Sequence, residues 1–124
     1  AIFATRAAIK EGVVSGGGIA LLNASYSFAP DNQGEEILLN SIRKPLEVIL
    51  ENADRFGDEI NDIGSKDGFG MNVKTGEMVN MIEAGIIDPL LVTKSALKNA
   101  VSVATTILST NCVINNLRID ESNG

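Results

Sequence analysis

The spacing of apolar residues along the chain predicts mainly helices. Residues 2–11 fit a first helix, rich in Ala, with charged side chains available for a solvent-facing side. Three consecutive glycines at residues 16–18 should break or bend that pattern. Helical spacing resumes at Ile19 and stops before Pro30. The beginning of the chain is therefore predicted to form two helices separated by a glycine bend.

The next stretch predicts a long helix that contains a proline. A polar loop covers residues 31–34, and apolar residues then recur every three or four positions over residues 35–53. Pro45 lies inside this stretch and lacks a backbone N–H, so it should kink the helix or begin a second segment. Residues 55–65 have a weaker pattern, for which we favour a short helix through residues 58–60.

A change of period after residue 68 predicts a small β-hairpin. Apolar residues alternate with other residues here, as in a strand: Phe69, Met71 and Val73. Residues 74–76 supply a turn in which Gly76 can adopt a positive φ, and Met78 and Asn80 belong to the returning strand. Residues 80–85 then predict a helical turn that Gly85 ends.

The last part of the chain predicts a long helix followed by a strand. Asp88 as N-cap and Pro89 at the first helical position are a favourable helix start. The helix should cover residues 89–111, with apolar side chains beyond one narrow face. Residues 112–117 resemble an edge strand. The fold class predicted is mainly α: a helical bundle with one small β-hairpin and a C-terminal edge strand.

Composition excludes several kinds of function. The 124 residues are enough for one domain but not for two separate cores. A net charge of -6 without a basic run argues against nucleic-acid binding. The absence of His rules out His-dependent catalytic triads and, with a single Cys, a zinc site of the usual kind. Cys112 cannot form an internal disulfide, fits a reducing compartment, and is most simply a small buried hydrophobe.

Two uncharged stretches are about as long as a membrane-spanning helix, namely residues 12–30 and 99–117. The first contains three consecutive glycines and three serines, and the second contains threonines and asparagines. Because such polar content makes insertion into a bilayer costly, we interpret both as buried helices and their flanks, and we expect no membrane partner.

Three features could bind a ligand, although each also has a simpler structural explanation. The triple glycine could let a phosphate or sugar approach backbone amides, or it could be a bend or a close helix contact. It is not a Walker motif, because no Gly-Lys-Ser/Thr follows it. Asp88 could accept hydrogen bonds from ribose hydroxyls or could simply cap a helix. The Asn72 amide could contact a base edge or could flank the hairpin turn.

Several blocks of sequence, in their order and spacing, resemble the group I chaperonins, the GroEL or heat-shock-protein-60 family. The resemblance covers essentially the whole chain, and its first and last blocks are specific. The matching blocks are Ala4-Thr5-Arg6-Ala7-Ala8, residues 11–21 (EGVVSGGGIAL), Gly70-Met71-Asn72, Asn80-Met81-Ile82, residues 84–89 (AGIIDP) and residues 92–97 (VTKSAL).

This resemblance implies the C-terminal part of an equatorial, ATP-binding domain in a large ATP-hydrolysing ring machine that helps proteins fold. Residues 1–10 would end the intermediate domain, and residues 11–124 would belong to the equatorial domain. It also implies homo-oligomeric ring partners, non-native client polypeptides and a co-chaperonin, in the bacterial cytoplasm or alternatively in a mitochondrial matrix or plastid.

The resemblance also assigns the residues that would contact ATP or ADP. The Gly17 backbone and the Asp88 carboxylate would hold the ribose. Asn72 and Val73, with Ile86 nearby, would face the adenine, and Lys74 follows in the same strip. The family commonly has two alanines after the Asn, so Val73 and Lys74 are departures. If the assignment holds, Gly17, Asn72 and Asp88 should converge on one pocket.

The same resemblance implies that the chain is a fragment without the hydrolytic half of the site. The phosphate-binding Gly-Asp-Gly-Thr-Thr loop and the Mg²⁺-binding Asp would lie earlier in the polypeptide, and the Asp that positions water would directly precede Ala1. We therefore expect no ATPase activity from this segment alone, and we expect it to self-associate through its apolar last helix and strand. The alternative is a non-enzymatic helical interaction module.

Overall fold

A computed structural model describes residues 1–55, 62–64 and 66–122, with side chains of the last helix described as far as residue 110. The elements, in chain order, are α1 (Ile2–Glu11), β1 (Val13–Ser15), α2 (Ile19–Tyr26), α3 (Gln33–Ser41), α4 (Lys44–Asn52), β2 (Phe69–Asn72), β3 (Glu77–Asn80), β4 (Ile87–Pro89) and α5 (Leu90–Ser122). The strands form two antiparallel two-stranded sheets, β1 with β4 and β2 with β3. The mainly helical fold class is confirmed.

The chain divides into two compact units, residues 1–91 and residues 92 onward. The first unit contains both sheets and the helices α1 to α4. The second consists, in its described residues, of the continuation of α5. No helix in the described part of the chain is both long enough and apolar enough to cross a membrane.

Local sequence explains the helix boundaries in the middle of the chain. Asn32 caps α3, since its side-chain oxygen accepts the Glu35 N–H at 2.9 Å, while the Glu35 carboxylate accepts the Asp31 N–H at 2.7 Å. Pro45 lies in the first turn of α4, where its missing N–H costs little. The proline therefore begins a second helix, one of the two outcomes expected for it.

The core of the first unit forms where α2, α4 and the hairpin meet. Its fully buried side chains are Ile19, Leu22, Leu46, Leu50, Ile63 and Met81, with Met71, Val79 and Ile86 packed against them. Leu46 and Leu50 are four residues apart and so lie on one face of α4. Burying a side chain of this size stabilises the fold by about 1.5–3 kcal/mol. The apolar face predicted over residues 35–53 was only partly correct, because Leu46 is buried while Leu38 and Ile49 are exposed and Leu50 contacts the core in place of Ile49.

A polar contact holds α2 against the start of α4. The buried Ser25 hydroxyl donates to the Leu22 carbonyl at 2.6 Å and accepts the Arg43 Nε–H at 3.1 Å. The Arg43 guanidinium also lies over the Tyr26 ring, 4.7 Å from its centre, a cation–π distance. The arrangement satisfies the buried hydroxyl, which would otherwise destabilise the core.

Two predictions about strands were wrong because they considered only local pattern. Residues 13–15 form β1, where the helical interpretation expected the flank of a helix. Asp88 and Pro89 do not start the long helix; they belong to β4, with Val14 opposite Asp88 and Val13 opposite Pro89. Pairing with a distant segment satisfies these backbone groups, and α5 begins only at Leu90.

The C-terminal edge strand predicted over residues 112–117 was also wrong, because α5 continues to Ser122. A strand needs a neighbour to receive its backbone hydrogen bonds, whereas a continued helix satisfies them internally. The side chain of Cys112 lies outside the described part of the chain, as do residues 58–60, where a short helix was predicted.

Candidate functional site

The glycine segment connects β1 to α2 through a backbone turn. Gly17 and Gly18 both have positive φ, +65° and +80°, a conformation in which glycine avoids the strain of a side chain. Gly16 donates its N–H to the Ile86 carbonyl at 2.8 Å, which continues the β1–β4 ladder by one bond. A Cβ on Gly16 would lie 3.1 Å from the backbone of Ile86 and Ile87, so the absence of a side chain permits this close approach.

The β1–β4 sheet brings the proposed ribose-contacting segments side by side. Ile87 is paired with Ser15, the residue just before the glycines. Asp88 is exposed on β4 opposite Val14. Both α1 and α2 contact this sheet, α1 through β4 and α2 through β1. Asp88 is thus at an exposed position on the strand that pairs with β1, and β1 leads into the glycine turn.

The hairpin presents the residues predicted to face the adenine. Asn72 ends β2 and is half-buried, while Val73 and Lys74 are exposed in the turn. The Asn72 side-chain oxygen accepts the Lys74 N–H at 3.1 Å, and its carbonyl accepts the Gly76 N–H at 2.7 Å. Gly76 has φ +75°, as the predicted turn requires. Asn72 therefore organises the turn, which is the simpler of the two explanations for it.

Met81 is the side chain around which these segments meet. It is 1 % exposed and belongs to the core cluster. Its N–H donates to the Gly68 carbonyl at 3.0 Å, and its carbonyl accepts the Ile86 N–H at 2.8 Å. A Cβ on Gly17 would lie 2.9 Å from the Met81 methyl, and one on Gly70 would lie 3.1 Å from the Met81 sulfur. The residue thus contacts the glycine turn, the hairpin and the segment leading to β4.

The sequence did not predict a role for Met81, which was noted only as part of the matching block Asn80-Met81-Ile82. The signal that could have found it is alternation, because Val79 and Met81 lie two residues apart at the end of the returning strand and both contact the core. The hairpin is further held to α2 by the Asn23 side chain, whose oxygen accepts the Gly68 N–H at 3.0 Å.

Of the six candidate residues, Gly17 and Ile86 adjoin Met81 directly, and Asp88 lies two residues beyond Ile86 on β4. Asn72, Val73 and Lys74 lie at the tip of the hairpin, the end opposite Met81. The convergence of Gly17, Asn72 and Asp88 on one pocket stays a prediction. Contacts of these residues with a nucleotide stay predictions. Within the described residues, no group of three or more His, Cys, Asp or Glu side chains could hold a metal ion.

Comparison with solved structures identifies the class of fold. The chain is similar to the crystal structure of a group III chaperonin in the open state, with a TM-score of 0.72 and 28 % identity over 83 % of this chain and 24 % of that one. It is also similar to the open-state monomer of a group II chaperonin from Methanococcoides burtonii, with a TM-score of 0.54 and 27 % identity over 77 % of this chain and 27 % of that one. The mainly helical fold with small sheets is that of a chaperonin equatorial-domain segment.

The family follows from the sequence model that matches almost the whole chain. The model of the TCP-1/cpn60 chaperonin family covers residues 1–118. The chain therefore belongs to the TCP-1/cpn60 chaperonin family, which confirms the chaperonin resemblance at the level of the family. The chain spans about a quarter of the length of the chaperonin chains that it matches.

Proposed function

We propose that this chain is a segment of an ATP-dependent chaperonin subunit that assists protein folding, and that it supplies the nucleoside-binding side of the ATP site. Membership of the chaperonin family supports the first part. The observation that carries the second is the meeting of the glycine turn, the base of the hairpin and the segment before β4 around Met81. These are the three segments on which the resemblance places nucleotide contacts.

The ribose would lie against the glycine turn and Asp88. Gly17 has no side chain to block approach to its backbone, and it is half-buried, so part of that backbone is accessible. The exposed Asp88 carboxylate has two acceptor oxygens, which suit the two hydroxyl donors of a ribose. A hydrogen bond to a charged group contributes about 1.5–3 kcal/mol, so Asp88 would be a principal ribose contact.

The adenine would lie against the hairpin tip and Ile86. Since the Asn72 oxygen already accepts the Lys74 N–H, the Asn72 amide N–H₂ is the group that suits an acceptor on the base edge. Val73 is exposed and apolar and would contact the flat face of the base. The larger side chains of Val73 and Lys74, compared with the usual alanines, would leave the contact to the side-chain methyls of Val73 and to the turn backbone.

Hydrolysis would depend on groups elsewhere in the subunit. Phosphoryl transfer needs charge stabilisation and positioning of the phosphates, and the candidate residues here are suited to the nucleoside alone. We propose that the phosphate loop and the Mg²⁺ ligands lie in other parts of the polypeptide. The segment by itself would therefore release no phosphate at a chaperonin-like rate.

The group and assembly of the parent protein are further proposals. The matching sequence blocks, residues 11–21 and 92–97 among them, support group I, although the structurally similar proteins are group II and group III chaperonins. Residues 1–10 would end the intermediate domain, and the remaining residues would belong to the equatorial domain. The parent would form homo-oligomeric rings with client polypeptides and a co-chaperonin, in the bacterial cytoplasm or alternatively in a mitochondrial matrix or plastid.

Nucleotide binding by the full-length subunit tests the proposal. Asp88→Ala should weaken ADP binding by about 10- to 100-fold, the range expected for losing a charged hydrogen bond, as measured by calorimetry. Glu83→Ala removes another exposed carboxylate, located in the turn after β3, and should leave the affinity unchanged. ADP should also protect the amides near Asn72 and Asp88 from hydrogen exchange. A full-length subunit that shows neither binding nor protection would favour the helical interaction module.

A further inference from the structure

The Met81 side chain contacts both halves of the proposed nucleoside site. Its methyl lies against Gly17, on the ribose side, and its sulfur lies against Gly70, in the strand that leads to Asn72. At 1 % exposure it is out of reach of a ligand, so any effect on binding must act through these neighbours. Its backbone adds two further links, to Gly68 before the hairpin and to Ile86 before β4.

The Met81 side chain occupies space that a side chain at either glycine would need. A Cβ on Gly17 would lie 2.9 Å from the methyl, and one on Gly70 would lie 3.1 Å from the sulfur and 2.5 Å from Cγ1 of Ile19. If either backbone moved away from Met81, it would leave a void in the core, which costs stability. Met81 therefore fills the space between the glycine turn and β2, together with Ile19 on the side of β2.

Methionine has a shape that suits this position. It is unbranched beyond Cβ, so one atom of the side chain can contact Gly70 while the next contacts Gly17. Leucine has a similar volume, but it branches at Cγ and ends one atom earlier. A leucine at this position would fill the core with little loss of stability, yet it would not maintain both contacts at the same separation.

We propose that Met81 is a positioning residue for nucleotide binding, which sets the separation between the ribose-contacting glycine turn and the base-contacting hairpin. The inference rests on the proposed nucleoside site, since it assigns a role to a residue that supports that site. If this is so, the shape of the side chain at position 81 affects ADP affinity even when the substitution leaves the stability of the fold unchanged.

The test compares two substitutions in the same core of the full-length subunit. Met81→Leu should weaken ADP binding about tenfold. Leu50→Met is the matched control, because Leu50 lies in the same buried cluster on α4, and its ADP affinity should stay within about twofold of the wild type. Urea unfolding of both variants measures the accompanying loss of stability, and calorimetry measures the ADP affinity.

A spectroscopic measurement separates positioning from general loosening of the core. In protein labelled at the methionine methyls with ¹³C, the Met81 signal should shift when ADP binds, because the methyl lies against Gly17. The Met78 methyl, on an exposed side chain of β3, should shift less. The Met81→Leu and Met78→Leu variants assign the two signals.

The outcomes distinguish this inference from the function on which it rests. If wild-type protein binds ADP, but the two core variants weaken binding only in proportion to their loss of stability, the positioning role is overturned and the nucleoside site stands. An unchanged Met81 methyl signal at saturating ADP would also overturn the positioning role while leaving the nucleoside site in place. If wild-type protein does not bind ADP, the proposed function fails and the inference fails with it.

Discussion

The two compact units differ sharply in how well they bury their own apolar side chains. In residues 1–91, Ile19 and Leu22 are fully buried, because α2, α4 and the hairpin surround one core. In the second unit, Ile107 is 55 % exposed and Leu108 is 65 % exposed. A single helix has no second layer of its own against which to pack, so its apolar faces need another surface.

Burial of apolar side chains in this chain therefore follows layering more than apolar content. Helix α1 supports this conclusion from within the first unit, because Phe3 and Ile9 on it are exposed while Ala7 is buried. We infer that the exposed faces of α1 and α5 are completed by other parts of the parent subunit. Four predictions test this contrast, beginning with the largest expected effect.

Truncating a leucine in each unit should have very different consequences. Leu22→Ala should lower the free energy of unfolding by about 2–5 kcal/mol, since it removes a fully buried side chain and leaves a cavity. Leu108→Ala should change it by less than about 0.5 kcal/mol in the isolated chain, because the side chain is exposed there. Urea unfolding measures both, and equal losses would contradict the contrast.

Adding a methyl group to a glycine should separate crowding from backbone strain. Gly18→Ala should cost about 2–4 kcal/mol, because Gly18 has φ +80° and its Cβ would lie 2.8 Å from the Leu46 backbone nitrogen. Gly85→Ala is the control, with φ +75° but no atom within 4 Å of the added Cβ, and should cost about 1–2 kcal/mol. If thermal unfolding gave the same loss for both, close packing of α2 on α4 would be refuted.

A charge placed on the exposed apolar surface of α5 should weaken self-association of the isolated chain. Ile107→Glu should raise the dissociation constant about tenfold, or about 1.4 kcal/mol, because a carboxylate resists burial. Ser102→Glu introduces the same charge at an already polar, exposed position of α5 and should have little effect. Sedimentation over a wide concentration range measures this, and a monodisperse wild-type monomer would argue against an associating surface.

The smallest effect should come from the exposed ion pair of α4. A hydrogen bond to the Glu47 carboxylate raises the pKa of Lys44 above its ordinary value of 10.5. The stabilisation is therefore fully present below the pKa of the unfolded chain and is lost as the pH rises through the higher folded-state pKa. Because Lys44 is exposed, Lys44→Ala should leave the free energy of unfolding at neutral pH, measured in urea, unchanged within error. A clear loss of stability at neutral pH would show that the pair matters more than its exposure implies.

The parts of the fold that sequence predicted correctly are those stabilised within a few residues. Helix α1, the restart of the helix at Pro45 and the hairpin turn with Gly76 each depend on local backbone preferences and nearby hydrogen bonds. Gly17, Asn72, Ile86 and Asp88 came from matching blocks of a family that is confirmed, but the contacts of all candidate residues with a nucleotide stay predictions.

What sequence by itself determined was therefore the helical class, the local turns and the chaperonin family. Tertiary structure alone decided that residues 13–15 pair with residues 87–89, that Asp88 lies on a strand, and that Met81 joins the glycine turn to the hairpin. The physical reason is that each of these features depends on which distant backbone or cavity a segment contacts. The local sequence of a segment does not specify that partner.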